Sequence, residues 1–260
     1  MQLCAFNVNS IRTRIDLLIS WLEHRNNNID VLCLQELKVA DKDFPGEGLE
    51  RLGYQCEVYG QKGYNGVAIC SKTQLQEVRK GFGDDYWDSD KRIMTASLGD
   101  IRIVNVYAPH GGVRGTEKFD YKLKWYTRFM LHLKEKYSLS EKTVIVGDFN
   151  VARADMDVYD PRVLADTIGT MTEERAAFEE LLSLGLVDTA RHLYPEKKMY
   201  TWWDYIGGGI WKDQGMRIDY ILCTKPFISV LQDVQIDLWP RRRRTPKPSD
   251  HAPVIGTFKI

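Results

Sequence analysis

The sequence predicts a single α/β domain built on mixed sheets, and three observations carry that expectation. Short runs rich in Val, Ile, Leu and Tyr recur along all 260 residues, separated by amphipathic stretches and turns. Several of these runs are apolar almost throughout, the pattern of strands covered on both faces. Strands also follow one another with no intervening helix around residues 54–70 and 92–108. Parallel neighbours need long crossovers, so direct succession argues against pure βαβ winding.

In chain order, LCAFNV reads as a strand and Ile11–Arg25 as a helix, with Ile15, Leu18, Ile19 and Leu22 on one face. DVLCLQE, NGVAICS and IRIVNVYA are the next strands. Helical spacing returns in Lys118–Lys136, through Phe119, Leu123, Tyr126, Phe129, Met130 and Leu133. TVIVGDFN is a strand, and Glu173–Leu184 a helix. Thr172 is its expected N-cap, with Glu173 and Glu174 as acidic first-turn residues. RIDYILC and APVIGTFKI complete the strands, while Asp204–Asp213, containing Gly207, Gly208 and Gly209, reads as a flexible loop. No Pro/Gly/Ser linker and no tandem repeat divides residues 1–260, which are expected to form one catalytic domain.

Composition bounds the setting. Hydrophobic residues make up 43% and charged residues 28%, an ordinary globular balance. No apolar run approaches the roughly 18 residues of a membrane span, and MQLCAFNVNS lacks the basic start and apolar core of a signal peptide. The cytoplasm is the expected compartment, with no membrane partner. Cys4, Cys33, Cys56, Cys70 and Cys223 form no CxxC pair, so they read as small buried thiols in a reducing compartment. With 36 acidic and 36 basic residues, net charge favours no partner class, and only local excesses such as Arg241–Arg244 with Lys247 are informative.

The chemistry is expected where strands end. LCAFNV carries Asn7, VLCLQE ends in Glu36, IVNVYA carries Asn105 and Tyr107, and VIVGDFN ends in Asp148 and Asn150. RIDYIL carries Asp219, and Ser249-Asp250-His251 precedes the last strand. One polar terminus is ordinarily a turn former or cap; six of them, all Asp, Glu, Asn, His or Tyr, point to a shared site at the sheet ends. Carboxylates and amides without a cysteine ligand suit a hard cation, Mg²⁺ or alternatively Mn²⁺, rather than zinc. Asp148 and Asn150, two apart on an extended chain, are expected to face the same side and hold one water. His251 would donate to a phosphate oxygen, with Asp219 orienting it. These are the parts for metal-assisted attack of water on a phosphoester.

NVNSIR, LCLQELK, GYNGVAI, NVYAP, VIVGDFNVA, YTWWDY, RIDYIL and KPSDHAPV resemble, in order, the motifs of the exonuclease III family of abasic-site endonucleases, within the endonuclease/exonuclease/phosphatase superfamily. The match runs from Leu3 to Phe258. LQELK, YTWWDY and GMRIDYIL favour the DNA-repair branch over the lipid and inositol phosphatases. The resemblance implies a deoxyribonuclease I-like four-layer α/β sandwich, two mixed sheets face to face with helices outside. It implies Glu36 as principal metal ligand, with Asn7 and Asp250 beside it, and Tyr107 as a contact to the scissile phosphate. Asp148 would align or deprotonate the attacking water, Asn150 would be its amide partner, and Asp219 with His251 the Asp–His pair. The implied activity is Mg²⁺-dependent cleavage 5′ to abasic sites with 3′→5′ trimming of double-stranded DNA, in base excision repair, by a monomer.

The DNA contacts implied at the periphery are Lys38, His110, Arg114, Trp202, Met216, Arg243 and Arg244, together with the Gly111-Gly112 and Gly207–Trp211 loops. Each has a plainer reading as surface loop, packing residue or solvated charge; Trp203 reads as core. Two positions depart from the commonest family pattern. His110 stands where many relatives carry Asn or a small polar residue, and Met216 where many carry Trp. Both bear on pocket selectivity and on the ratio of endonuclease to exonuclease activity. Two rival functions follow: a phosphodiesterase preferring uracil-containing DNA, RNA or 3′-blocked ends, and a non-catalytic nucleic-acid-binding regulator.

Overall fold

The computed structural model describes residues 1–260. The first half of the chain runs β1 (Gln2–Asn7), α1 (Ile11–His24), β2 (Val31–Gln35), α2 (Glu47–Arg51), β3 (Gln55–Tyr59), β4 (Val67–Ser71), β5 (Gln76–Lys80), α3 (Asp85–Asp88), β6 (Ile93–Leu98), β7 (Ile101–Tyr107) and α4 (Glu117–Lys136). The second half runs β8 (Thr143–Asp148), α5 (Thr172–Ser183), β9 (Leu186–Asp188), α6 (Thr189–Leu193), β10 (Trp202–Trp203), β11 (Gly215–Met216), β12 (Asp219–Thr224), α7 (Lys225–Ile228), β13 (Leu231–Ile236) and β14 (Val254–Phe258).

Two six-stranded sheets result, ordered β13-β14-β1-β2-β4-β3 and β5-β6-β7-β8-β12-β9. Each is mixed: β1 pairs parallel with β2 and β7 with β8, and the other pairings are antiparallel. Their inner faces share one core, in which Leu3, Ala5, Cys33 and Ile69 meet Ile103, Val144, Val146 and Ile221. The alternate residues face outward and are also buried. Cys4, Phe6, Leu32 and Leu34 pack under Leu18, Trp21 and Leu22 of α1. Val104 and Ile145 pack under Trp125 and Phe129 of α4 and Phe178 of α5. Both strand faces need apolar residues because each sheet has a sheet on one side and helices on the other. The expected four-layer sandwich is the fold observed.

Particular expectations shift. α1 buries Ile11, Leu17, Leu18, Trp21 and Leu22, with Ile15 and Ile19 only half-buried at the edge of that face. The N-cap of α5 is Met171, whose amide donates to the Glu174 carboxylate at 3.1 Å, and Thr172 is already helical. Residues 206–212 form short 3₁₀ turns kinked at Gly207 and Gly208, which hold positive φ of 72° and 70°. The cysteine reading is corrected at one pair. Cys56 and Cys70 are direct cross-strand partners in the β3–β4 ladder and are joined by a disulfide, while Cys4, Cys33 and Cys223 are buried free thiols. A separation of 14 residues carries no local motif; register alone brings the two together.

Asn105 also finds its place here. It sits inside the sandwich, donating to the carbonyls of Leu34 and Ala68 and accepting from Gln35 Nε2 at 2.7 Å. This polar bridge ties β7 to β2 and β4 across the apolar core. The Asn105 amide is satisfied at both its oxygen and its nitrogen, so the bridge fixes how the sheets align, while Gln35 Oε1 is left buried without a partner.

Candidate active site

The strand ends that the sequence singles out converge at one edge of the sandwich, around a cavity of about 800 Å³. Glu36, Tyr107, His110, Asp148, Asn150, Trp202, Met216, Asp250 and His251 line it. Register explains the convergence. Tyr107 and Asp148 are partners in the β7–β8 pair, Asp148 and Asp219 are partners in β8–β12, and Asn7 stands opposite Gln35, next to Glu36.

Asp148 lies at the centre, almost fully buried. One carboxylate oxygen accepts the Asn150 backbone N–H at 2.9 Å; the other accepts Asn7 Nδ2 at 2.9 Å and Asn150 Nδ2 at 3.3 Å. The geometry differs from the extended chain expected. Asn150 adopts a left-handed φ of 53°, and it is this turn that brings its amide back to Asp148 and to the Ala108 carbonyl, 2.9 Å away. An asparagine tolerates that conformation better than most residues.

His251 Nδ1 is 2.9 Å from the Asp219 carboxylate, and its Nε2 is 3.8 Å from Asp148. Burial alone would lower the His251 pKa, yet the charges of Asp219 and Asp148 outweigh it and push it up to about 10. Asp148 is raised to about 7, first by burial and then by the Asp219 charge, against the opposing pull of His251 and the Asn7 and Asn150 hydrogen bonds. The Tyr107 phenol is held neutral by burial and by the nearby Glu36 and Asp148 carboxylates, so it remains an O–H donor. Arg92 lies over the Tyr107 ring, 5.1 Å from its centre, and donates to its backbone carbonyl.

Glu36, also left-handed at φ 58°, pairs with Lys38 Nζ at 2.8 Å. Lys38 donates as well to Asn9 Oδ1, and Asn9 Nδ2 donates to Asp250. Asp250 further accepts Trp202 Nε1 at 3.0 Å. Burial would raise the Asp250 pKa, but His251 and these donors outweigh it and keep it ionised. Glu36 and Asp250 thus face one cavity as carboxylates, with no cysteine among its lining residues, a donor set that fits a hard divalent cation. Ligand atoms of Asp148, Asp219 and His251 also lie within 4.8 Å of one another and could hold a metal. The Asn7 amide nitrogen donates to Asp148 and its oxygen accepts the Asn9 N–H.

The peripheral residues divide. Trp202 and Met216, partners in the β10–β11 pair, form an apolar wall with Ile218, Leu164 and Met171. Gly169 belongs to the same wall; a Cβ there would stand 3.2 Å from the Asn150 carbonyl and 3.4 Å from Met216 Cε. The His110 pKa is lowered, chiefly by desolvation and then by Lys122. Arg114 is held at the cavity rim by Asp166 and Glu173, so in this state its donors are occupied. Trp203 is buried with Tyr200, Ile210 and Ala252.

Of the basic run, Arg242, Arg243 and Arg244 are exposed, Arg243 lying over the Trp239 ring at 3.9 Å. Arg241 instead turns inward and donates to the carbonyls of Asp250 and Trp203. Sequence reasoning missed Asn9 and Arg14 and read Arg241 only as part of the basic run, yet all three brace the Asp250 segment; Arg14 donates to the Asn9 carbonyl at 2.6 Å. A signal existed for Asn9, since Asn7-Val8-Asn9 repeats the two-residue spacing of Asp148 and Asn150.

Comparison with known proteins agrees with this geometry. Residues 4–251 match the model of the endonuclease/exonuclease/phosphatase family. The chain is 36% identical to exodeoxyribonuclease III of Haemophilus influenzae, over the full length of both. It superposes on an AP endonuclease from Archaeoglobus fulgidus with a TM-score of 0.95 and 36% identity, and on a 3′ phosphatase from Neisseria bound to a product DNA hairpin with 0.93 and 37%. Each superposition covers all of both chains.

Proposed function

Given that the chain belongs to the endonuclease/exonuclease/phosphatase family and is a DNA-repair nuclease, we propose that it hydrolyses the phosphodiester 5′ to abasic sites in duplex DNA and trims 3′ ends. The observation that carries this reading is the setting of Asp148, a buried carboxylate aimed by two amides and flanked by a histidine–aspartate pair. A non-catalytic regulator has no use for such a constellation. The AP endonuclease and exodeoxyribonuclease III names of its relatives support the choice of substrate.

In this mechanism Asp148 aligns the attacking water and takes its proton, which burial favours by raising its pKa towards neutrality. As the water oxygen bonds to phosphorus the P–O3′ bond breaks, and the departing 3′ oxygen takes a proton from solvent. Asn7 and Asn150 fix the direction of the carboxylate. His251, kept protonated by Asp219, donates to a non-bridging phosphate oxygen and offsets charge as it develops. Tyr107 donates its phenolic hydrogen to the same phosphate. Glu36 and Asp250 would hold Mg²⁺, which supplies charge neutralisation at the phosphate when bound. The apolar wall of Trp202, Met216 and Ile218 accepts a sugar stripped of its base, whose extrusion from the helix costs less than that of a paired and stacked nucleotide. We infer a monomer, acting in the cytoplasmic compartment the sequence suggests.

The test is cleavage of a duplex bearing one abasic analogue, beside an undamaged duplex with recessed 3′ ends, in Mg²⁺, Mn²⁺ or EDTA. Incision immediately 5′ to the analogue, abolished by EDTA, is expected. Shortening from the 3′ end alone would reject the abasic-site assignment, and cleavage undiminished in EDTA would reject the metal.

A further inference from the structure

Lys122 on α4 and Glu174 on α5 form an ion pair, Nζ to Oε1 2.6 Å, in which neither side chain has exposed surface. A pair this deep seldom adds net stability over well-packed apolar residues. Its other bonds show where it acts. Lys122 Nζ also donates to the backbone carbonyl of Asn150 at 2.7 Å and of His110 at 3.2 Å, so all three ammonium hydrogens are used. The second oxygen of Glu174 accepts the Met171 N–H at 3.1 Å. Asn150, His110 and Met171 belong to three separate segments, following β8, following β7 and preceding α5, and each lines the cavity. The segment after β7 also lies directly on the lysine stem, since a Cβ on Gly111 would come within 2.7 Å of Lys122 Cδ.

We propose that Lys122 and Glu174 are positioning residues for the hydrolytic step, holding Asn150 in the left-handed turn from which it aims the Asp148 carboxylate, and fixing the His110 and Met171 walls relative to it. The inference rests on the nuclease reading above. Neither side chain reaches the cavity, so both act only through the backbone groups they bind. The lysine restrains the Asn150 carbonyl while the Asn150 N–H and side chain restrain Asp148, so the buried pair is linked to the water-aligning oxygen by two successive bonded contacts.

The experiment compares wild type, Glu174→Gln, Lys122→Met and the double variant Lys122→Met/Glu174→Leu on the abasic duplex, with melting temperature recorded for each. Inactivity of the wild type on both abasic and recessed duplexes would fail the nuclease reading and take this proposal with it. With an active wild type, the double variant decides. Removing both charges relieves the unpaired buried ion and should raise melting well above that of Lys122→Met, short of the wild-type value because the Asn150 and His110 carbonyls and the Met171 N–H lose their partners. The Asn150 and His110 carbonyls remain unheld, so kcat is expected to stay down by about 100-fold, the cost of a misplacement of about 1 Å. KM should stay within about threefold, since phosphate contacts elsewhere are intact. Glu174→Gln keeps an acceptor for Lys122 but none for Met171; it should fold and show a smaller kcat loss. Recovery of kcat together with melting temperature in the double variant would overturn the proposal. If neither Lys122→Met variant folds, undiminished kcat in Glu174→Gln would overturn it equally.

Discussion

At the scale of single residues, the proposed mechanism turns on the Asp148 carboxylate, and its surroundings make its titration readable. Asp148→Asn keeps the shape but removes the proton acceptor, so turnover should fall by roughly 10²–10⁴-fold. Binding of the abasic duplex, measured by fluorescence anisotropy, should change by less than about threefold. Asn7→Ala is the subtler probe. Asn7 donates to the carboxylate and stabilises its ionised form, so losing that bond raises the Asp148 pKa from about 7. The ionised form is the active one, and the acid limb of the kcat/KM profile should therefore move to higher pH. A limb that stays in place would assign the titration to another group. Asp148 and Asn7 were both legible as polar strand ends. That Asn7 serves Asp148 was not, because the bond joins residues 141 positions apart on different sheets.

At the scale of elements, α4 shows what periodicity does and does not reveal. Phe119, Tyr126, Phe129, Met130 and Leu133 are buried as their spacing requires, but Leu123 is only half-buried, while Lys122, Trp125 and His132 are inside. A hydrophobic pattern cannot place a lysine in the core, since the partners that make it tolerable lie on another helix. His132 is a second case. Both of its ring nitrogens lack partners, and it packs edge-on to Phe82 and Tyr137. Burial, then Arg128 and Lys136, lower its pKa to about 4. Because the folded value lies below the unfolded one, the unfolded chain takes up the proton first. The neutral ring's contribution is fully present above about pH 6.5 and is lost as pH falls through about 4. After allowance for solvent screening this is worth on the order of 2 kcal/mol. His132→Phe should therefore flatten the fall in melting temperature between pH 6.5 and 4.5, measured by calorimetry; an unchanged slope would place the acid sensitivity elsewhere.

At the scale of the whole molecule, zero net charge means that DNA affinity must come from a local surface, and the exposed part of the basic run is the first place to look. Replacing Arg242, Arg243 and Arg244 by Ser should reduce the slope of log K against log salt by roughly 2–3, at about 0.9 per lost phosphate contact. An unaltered slope would show that these arginines are only solvated. Arg241 is left out of that variant because its guanidinium braces the Asp250 segment. Sheet mixing and the polar strand ends were legible because strands buried on both faces write long apolar runs that stop at polar ends, whereas the sandwich was legible only through the family resemblance. The Cys56–Cys70 bond, the inward turn of Arg241 and the lysine-centred tie between loops were not, since each depends on register or packing between distant segments.

The order of strands within the first sheet has one more consequence. β14 is the last strand of the fold in sequence, yet it lies between β13 and β1, and His251 and Asp250 stand on the segment that leads into it. Asp148 stands on β8 of the other sheet, whereas His251 and Asp250, its proposed partner and a proposed cation ligand, reach the site only when β14 docks. Activity is therefore expected to wait on the docking of β14, the strand that carries the last two candidate residues into the site. Enzymatic activity regained during refolding from urea should accordingly appear no sooner than protection of the β14 amides from hydrogen exchange.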